Sequence, residues 1–300
     1  SKPEGRCSVP PPVLLPCPVI RLLPLVALLF AVGCGPDLAA PSDREVEARV
    51  ADAEARLAAS AGGQLVAQAI EAHGGLAAWY RTGPLRYRYT YTRLDSLGEP
   101  AGDALDTRQL VDTWSARAVH TLAADPSVSF GWTGAEAWVR PAGADVPTNP
   151  RFWALTPYYF VSMPFVFADP GVTLTLADRD SLEGRPVDVV HATFAAGTGD
   201  APDDYYHLLL DPETHRVRGL RYVVSYAAFN PDGGHTPETL MIYDGAQTVG
   251  GVTIQEGFRS FLSATGQPKA RGTVTEVAPA PETPDATFGT PADAEVQPEL

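Results

Sequence analysis

The chain has 300 residues, 45% of them hydrophobic, which suits one large domain or two small ones with a sizeable core. Its net charge of −14 argues against nucleic acid as a partner and against electrostatic docking on anionic lipid, since both carry negative charge themselves. The three cysteines all fall within the first 34 residues, so the rest of the chain has no disulfide and is held together by burial alone.

Residues 1–20 are proline-rich and are assigned no fold; they read as an over-extended n-region. Arg21 then precedes an uncharged apolar run, Leu22 to Cys34 (LLPLVALLFAVGC). Spanning a bilayer takes about 20 apolar residues, so this run is too short, but its length fits the h-region of a secretory signal. It closes on Ala31-Val32-Gly33-Cys34. That ending resembles the lipobox of bacterial lipoproteins, in which the cysteine thiol receives a diacylglyceryl group and the chain is cut before it. The alternatives are an ordinary signal peptide or a buried core helix. The resemblance implies that residues 1–33 are a signal peptide and that Cys34 carries the lipid anchor. The mature chain then has 19 basic and 35 acidic residues, a net −16. In the enterobacterial pattern an Asp after the cysteine retains a lipoprotein in the inner membrane. Gly35 stands there, which implies the outer membrane, facing the periplasm.

Residues 34–42 form a short polar linker. Ser42-Asp43-Arg44-Glu45 has the pattern of a capping box, and Val46, Val50, Ala53 and Leu57 follow at helical spacing, so residues 43–60 are expected to be helical. Gly62-Gly63 is read as an interruption. Leu65, Val66, Ala69, Ile70 and His73 resume the period, and Gly74-Gly75 supplies a stop. His73 is read as a helix-end residue bonded to a carbonyl.

From Pro84 the period becomes two. Leu85, Tyr87, Tyr89 and Tyr91 alternate with Arg86, Arg88, Thr90 and Thr92, as in a half-buried strand. Arg86 and Arg88 then share a solvated face. Similar runs recur at 107–114, 117–123, 127–133, 135–140, 172–182, 186–195, 204–211, 216–228, 238–244, 251–262 and 270–277. Short turn signals such as Glu183-Gly184, Asp211-Pro212 and Asp244-Gly245 separate them, so the neighbours are antiparallel. About twelve strands must close, curl or be covered.

The section 148–169, TNPRFWALTPYYFVSMPFVFAD, is the most aromatic of the chain. Pro157 and Pro164 break it into short helices or a lid-like segment. It is either a structural plug in a curled sheet or an apolar gate over a cavity. The last stretch, 279–300, is rich in Pro, Ala and acid and reads as a disordered tail.

His73-Gly74-Gly75, the following Trp79 and the Tyr-rich strand resemble a family of bacterial lipoproteins in the LolA/LolB-like superfamily of lipoprotein carriers. Met163 to Gly171, Gly184 to Val190, and the run from Gly199 through Leu208-Leu209-Leu210-Asp211-Pro212 are similar to segments of the same family. The resemblance covers roughly residues 65–278. It implies a mainly β fold over residues 43–278: a curled, half-open antiparallel barrel of 11–12 strands, with the N-terminal and central helices on its concave face. It also implies an apolar interior that holds acyl chains.

Motifs for chemistry are sparse. The sequence contains no Gly-x-Ser-x-Gly elbow, P-loop or His-Glu-x-x-His, and nothing in it calls for a cofactor. His207, Asp211 and His215 are spaced by four, but Asp211-Pro212 reads as a hairpin turn, so no metal set is assigned. Asp200, Asp203 and Asp204 read as a solvated acidic loop rather than a calcium site. Three classes of function remain: a monomeric module binding a lipid or other apolar molecule, an interaction protein with a self-filled core, and an envelope hydrolase. Tyr87, Tyr89, Trp114, Phe152, Trp153, Phe160 and Phe165 are the expected lining of a cavity in the first class, which is the one favoured.

Overall fold

The computed structural model describes residues 40–196, 198, 200–201 and 203–298. The expected signal peptide, Cys34 and the linker through residue 39 lie outside them.

Helix α1 (Asp43–Leu57) starts at the expected capping box. The Ser42 backbone N–H donates to Glu45 Oε2 at 2.8 Å, and the Glu45 N–H donates to the Ser42 hydroxyl. Val46, Ala53 and Leu57 are its buried stripe. Helix α2 (Ala61–Ala72) is capped by Ser60, whose hydroxyl accepts from the Gly63 N–H at 3.0 Å. Gly62 and Gly63 therefore do not interrupt a helix; they form the first turn of one. The reason is space rather than flexibility. A Cβ at Gly62 would sit 2.7 Å from the backbone of Thr175, and one at Gly63 only 2.2 Å from the Leu57 carbonyl oxygen. His73 closes α2 and its Nδ1 lies 2.7 Å from the Ala69 carbonyl oxygen, so that nitrogen carries the proton. Gly74, at φ +110°, then turns the chain into α3 (Leu76–Arg81), with Gly251 so close that a Cβ at Gly74 would overlap its carbonyl oxygen.

The strands form one antiparallel sheet. The first meander is β1 (Pro84–Arg93), β2 (Leu105–Asp112), β3 (Arg117–Leu122), β4 (Ser129–Trp132) and β5 (Ala137–Arg140). The second is β6 (Val172–Leu182), β7 (Arg185–Phe194), β8 (Tyr205–Leu210), β9 (Val217–Tyr222), β10 (Thr239–Val249), β11 (Val252–Leu262) and β12 (Pro268–Pro279). With β13 (Glu295–Val296) the order is β13-β5-β4-β3-β2-β1-β12-β11-β10-β9-β8-β7-β6, so the two meanders are joined where β1 pairs with β12. The sheet curls into a half-open barrel with free edges at β13 and β6. Asp244-Gly245 is not a turn: β10 runs through it, with Asp244 opposite Gly257 and Ala246 opposite Gln255 in unbroken register. Glu183-Gly184 is a two-residue hairpin turn, with φ of 52° and 75°, a geometry that matches strand twist.

The concave face carries the main core. Leu85, Tyr87 and Tyr89 of β1 point into it, along with Val46, Val66, Ile70 and Trp79 from the helices. Arg86 and Arg88 point outward, Arg88 pairing with Asp106 at 2.5 Å. The central segment forms two short helices, α4 (Pro150–Trp153) and α5 (Thr156–Val161), followed by a 3-10 turn at Phe165–Ala168. A smaller cluster lies on the convex face: Leu182, Val187, Val189, Leu209 and Ile242. It exists because a register shift between Ala177 and Asp180 lets the β6–β7 tip fold back over the sheet. Arg221 to Asp180 (2.5 Å) and Arg259 to Glu183 (3.3 Å) pin that tip to β9 and β11.

The tail is the main departure from expectation. Residues 279–298 are ordered against the convex face instead of disordered. Phe288, 2% exposed, sits in a 3-10 turn under Arg117, whose guanidinium carbon is 4.8 Å from the ring and which also pairs with Asp285 at 2.7 Å. Val296 then pairs with Trp138 of β5. A composition poor in apolar residues hid one well-placed phenylalanine and a strand edge left open to receive the backbone.

Candidate functional site

The interior is filled unevenly, and the central segment divides in two. Its second half is packed solid: Phe165, 1% exposed, stacks on Trp79 with ring centroids 4.7 Å apart and planes 2° from parallel. Phe167 and Met163 are buried beside it. Its first half borders a cavity of about 350 Å³.

That cavity is walled by rings. Trp153 meets Tyr91 edge-on at 4.8 Å, and Phe160 packs on Tyr222 at 5.4 Å and Phe258 at 5.9 Å. Tyr206 stacks on Tyr222 at 5.5 Å, and Phe194 leans edge-on against Tyr206. The connection from β9 to β10, residues 223–238, closes one side. There Tyr226 and Phe229 both touch Phe152, at 5.1 and 4.8 Å. Helix α4 is held by Asn149, whose side-chain oxygen accepts from the Phe152 N–H at 3.0 Å. Helix α5 is held from below by the Tyr243 hydroxyl, which donates to the Phe160 carbonyl at 2.7 Å.

Four charged side chains also face the cavity: Arg151, Asp200, Asp204 and Lys269. Arg151 and Asp200 form a bidentate pair at 2.5 and 2.9 Å. Asp204 accepts from the Ser225 N–H at 2.6 Å and its hydroxyl at 2.9 Å, while burial, the larger influence, raises its pKa. Lys269 donates to the Thr239 hydroxyl, and burial lowers its pKa. Burial raises Tyr159 to about 12, with Asp169 adding to it.

Of the residues singled out in the sequence, Phe152, Trp153 and Phe160 line this cavity. Tyr87, Tyr89, Trp114 and Phe165 do not. Tyr87 and Tyr89 are sealed in the core beneath the helices, their hydroxyls lacking a hydrogen-bond partner among the described residues. Trp114 lies at the α1 side of the barrel, 5.5 Å edge-on to Tyr80 and under the Arg49 guanidinium at 4.7 Å. Inward direction on a strand puts a side chain in the interior; it does not decide which part of the interior is left open. His207 faces His191 across the β7–β8 pair at 3.1 Å on the convex side, while Asp211 caps its own turn by accepting from the Glu213 and Thr214 N–H groups. Sequence reasoning missed Tyr206, Tyr222, Tyr226, Phe229 and Lys269. Tyr226 stood in an expected strand at 216–228, with Phe229 just past its end; the turn-rich Asn230-Pro231-Asp232-Gly233-Gly234 that follows is the signal that this part leaves the sheet.

This architecture is the LolA-like fold. It is similar to the crystal structure of a LolA superfamily protein from Nitrosomonas europaea, with a TM-score of 0.52 at 10% identity, covering 76% of this chain and 97% of that one. A DUF1329 family protein from Desulfovibrio piger aligns at a TM-score of 0.49 and 10% identity, over 81% of this chain and 97% of its own. No family model matches the sequence, and no curated protein matches it.

Proposed function

We propose that the chain is a bacterial envelope lipoprotein, anchored through Cys34, that binds a lipid or other apolar molecule in the half-barrel and performs no catalysis. The observation that carries the binding role is the aromatic cavity of about 350 Å³ under α4 and α5, a size within the range of small-molecule sites. A core that merely needed filling would have closed it, as Phe165 and Phe167 close the neighbouring volume. The LolA-like fold supports the same reading, and so does the lipobox-like ending of the apolar run at Ala31-Val32-Gly33-Cys34. Gly35 after the cysteine favours the outer membrane, facing the periplasm. The protein works as a monomer.

Two experiments test this. An uncharged naphthalene dye should fluoresce on binding the full chain and be displaced by a fatty acid or phospholipid, and mass spectrometry of the natively extracted protein should find bound lipid. A protein that binds neither dye nor lipid and extracts clean refutes the binding role. Separately, Cys34→Ser should abolish lipid labelling and membrane fractionation; a mature-sized, lipid-labelled Cys34→Ser band refutes the anchor.

A further inference from the structure

We propose that the cavity takes a single-chain amphiphile with an anionic head, and that the Lys269 ammonium holds that head. The inference rests on the cavity being a lipid site and adds the class of lipid and the residue that selects it.

Start from the charges. Among the described residues, one of the two cavity-facing cations is paired with a carboxylate and the other is not. Arg151 and Asp200 are bound to each other, while Asp204 accepts only from the neutral donors of Ser225. Lys269 is the cation left over. Its ammonium reaches the Thr239 hydroxyl, a neutral group, and no carboxylate among the described residues stands within salt-bridge distance of it. Burial is the sole influence on its titration, which agrees with the absence of a nearby anion. A half-buried ammonium with no counterion is costly, and protein interiors normally pair such a charge. Here the Thr239 hydroxyl, itself bonded to Tyr222, is the partner seen among the described residues, and an anion entering the cavity would supply the missing counterion.

The position of Lys269 is specific. It sits near the start of β12, where a register shift between Ser260 and Phe261 of β11 disturbs the alternation. Its neighbour Ala270 is fully buried, yet Lys269 also lines the cavity, which regular alternation would forbid. The irregularity therefore aims a cation at an otherwise aromatic wall formed by Tyr91, Trp153, Phe160 and Tyr222. An apolar wall with one unpaired cation is complementary to an acyl chain ending in an anion.

Size decides the number of chains. The cavity's volume, about 350 Å³, lies at the lower end of the range for small-molecule sites, which suits one acyl chain better than the two chains of a phospholipid. The head is a carboxylate or a phosphate, since either satisfies an ammonium beside a hydroxyl.

The test uses the full chain and displacement of an uncharged naphthalene dye by laurate, dodecanol and a dodecanoyl lysophosphatidic acid at about pH 8, where the carboxylate is ionised. Laurate should bind at least about tenfold more tightly than dodecanol, and Lys269→Met should lower the laurate-to-dodecanol affinity ratio at least about fivefold, while Lys269→Arg keeps it. The tighter of laurate and the lysophosphatidic acid identifies the head. Lys269→Gln, which keeps a donor for Thr239, replaces the methionine variant if that one does not fold. Equal binding of laurate and dodecanol by the parent, or a ratio that survives Lys269→Met or Lys269→Gln, overturns the role of Lys269 while leaving the apolar site standing. A parent from which none of the three displaces the dye overturns the lipid site and this inference together.

Discussion

The division of the central segment into a packed half and an open half makes Phe165 and Phe160 a matched pair of probes. Both are phenylalanines in short helical turns of one segment, and both are nearly buried. Phe165 is surrounded on all sides, stacked on Trp79 at 4.7 Å and edge-on to His73 at 6.5 Å. Phe165→Ala removes the ring's transfer energy and leaves a hole that rigid neighbours cannot fill, so it should cost about 3–5 kcal/mol, with about 1 kcal/mol of that from the stack. For a chain of this size that lowers the melting temperature by roughly 10 °C. Phe160 contacts Tyr222 and Phe258 on one side and borders the cavity on the other. Phe160→Ala enlarges an existing space instead of opening a new one, so its cost should stay below about 3 kcal/mol. The assay is urea unfolding followed by far-UV circular dichroism for the parent and both variants, with dye affinity measured on the same samples. Phe165→Ala should show the larger stability loss and Phe160→Ala the larger change in dye affinity. A Phe160→Ala loss equal to or above that of Phe165→Ala refutes the assignment of the open half.

Two further outcomes follow from the fold. His120 is fully buried against Phe130, with Nε2 donating to the Ala154 carbonyl at 2.8 Å, and burial depresses its pKa from 6.5 to about 4. The unfolded chain therefore binds more protons than the folded one between those values, so this stability is complete above pH 6.5 and is lost on acidification to pH 4, by about 3 kcal/mol. Asp169, raised to about 6 mainly by burial, acts in the opposite sense over a similar window, so the test compares parent with His120→Gln, whose side chain keeps a donor for Ala154. The difference in their stability should shift steadily between pH 6.5 and 4, and a difference that is constant with pH refutes the assignment. Phe288→Ala should destabilise the protein by about 3–4 kcal/mol and increase proteolysis of the last twenty residues; a variant as stable and as resistant as the parent would mean that the tail contributes nothing to the fold.

What the sequence by itself determined is everything that depends on neighbours along the chain. The Ser42–Glu45 capping box, the alternation of Leu85, Tyr87 and Tyr89 against the arginines, and the glycine stop after His73 are short-range physics, and the structure has them where the sequence put them. Enough alternating strands without helices between them also dictated a curled antiparallel sheet. Tertiary structure decided the rest, because the rest depends on what lies across the barrel. Gly62 and Gly63 are glycines because Thr175 and Leu57 come too close, which no local pattern reveals. The tail is ordered because β5 offers an unpaired edge and Arg117 a platform for Phe288. Lys269 reaches the cavity through a register irregularity between two long strands, and whether an inward ring such as Tyr89 or Phe160 touches open space depends on how completely the segment opposite fills the barrel.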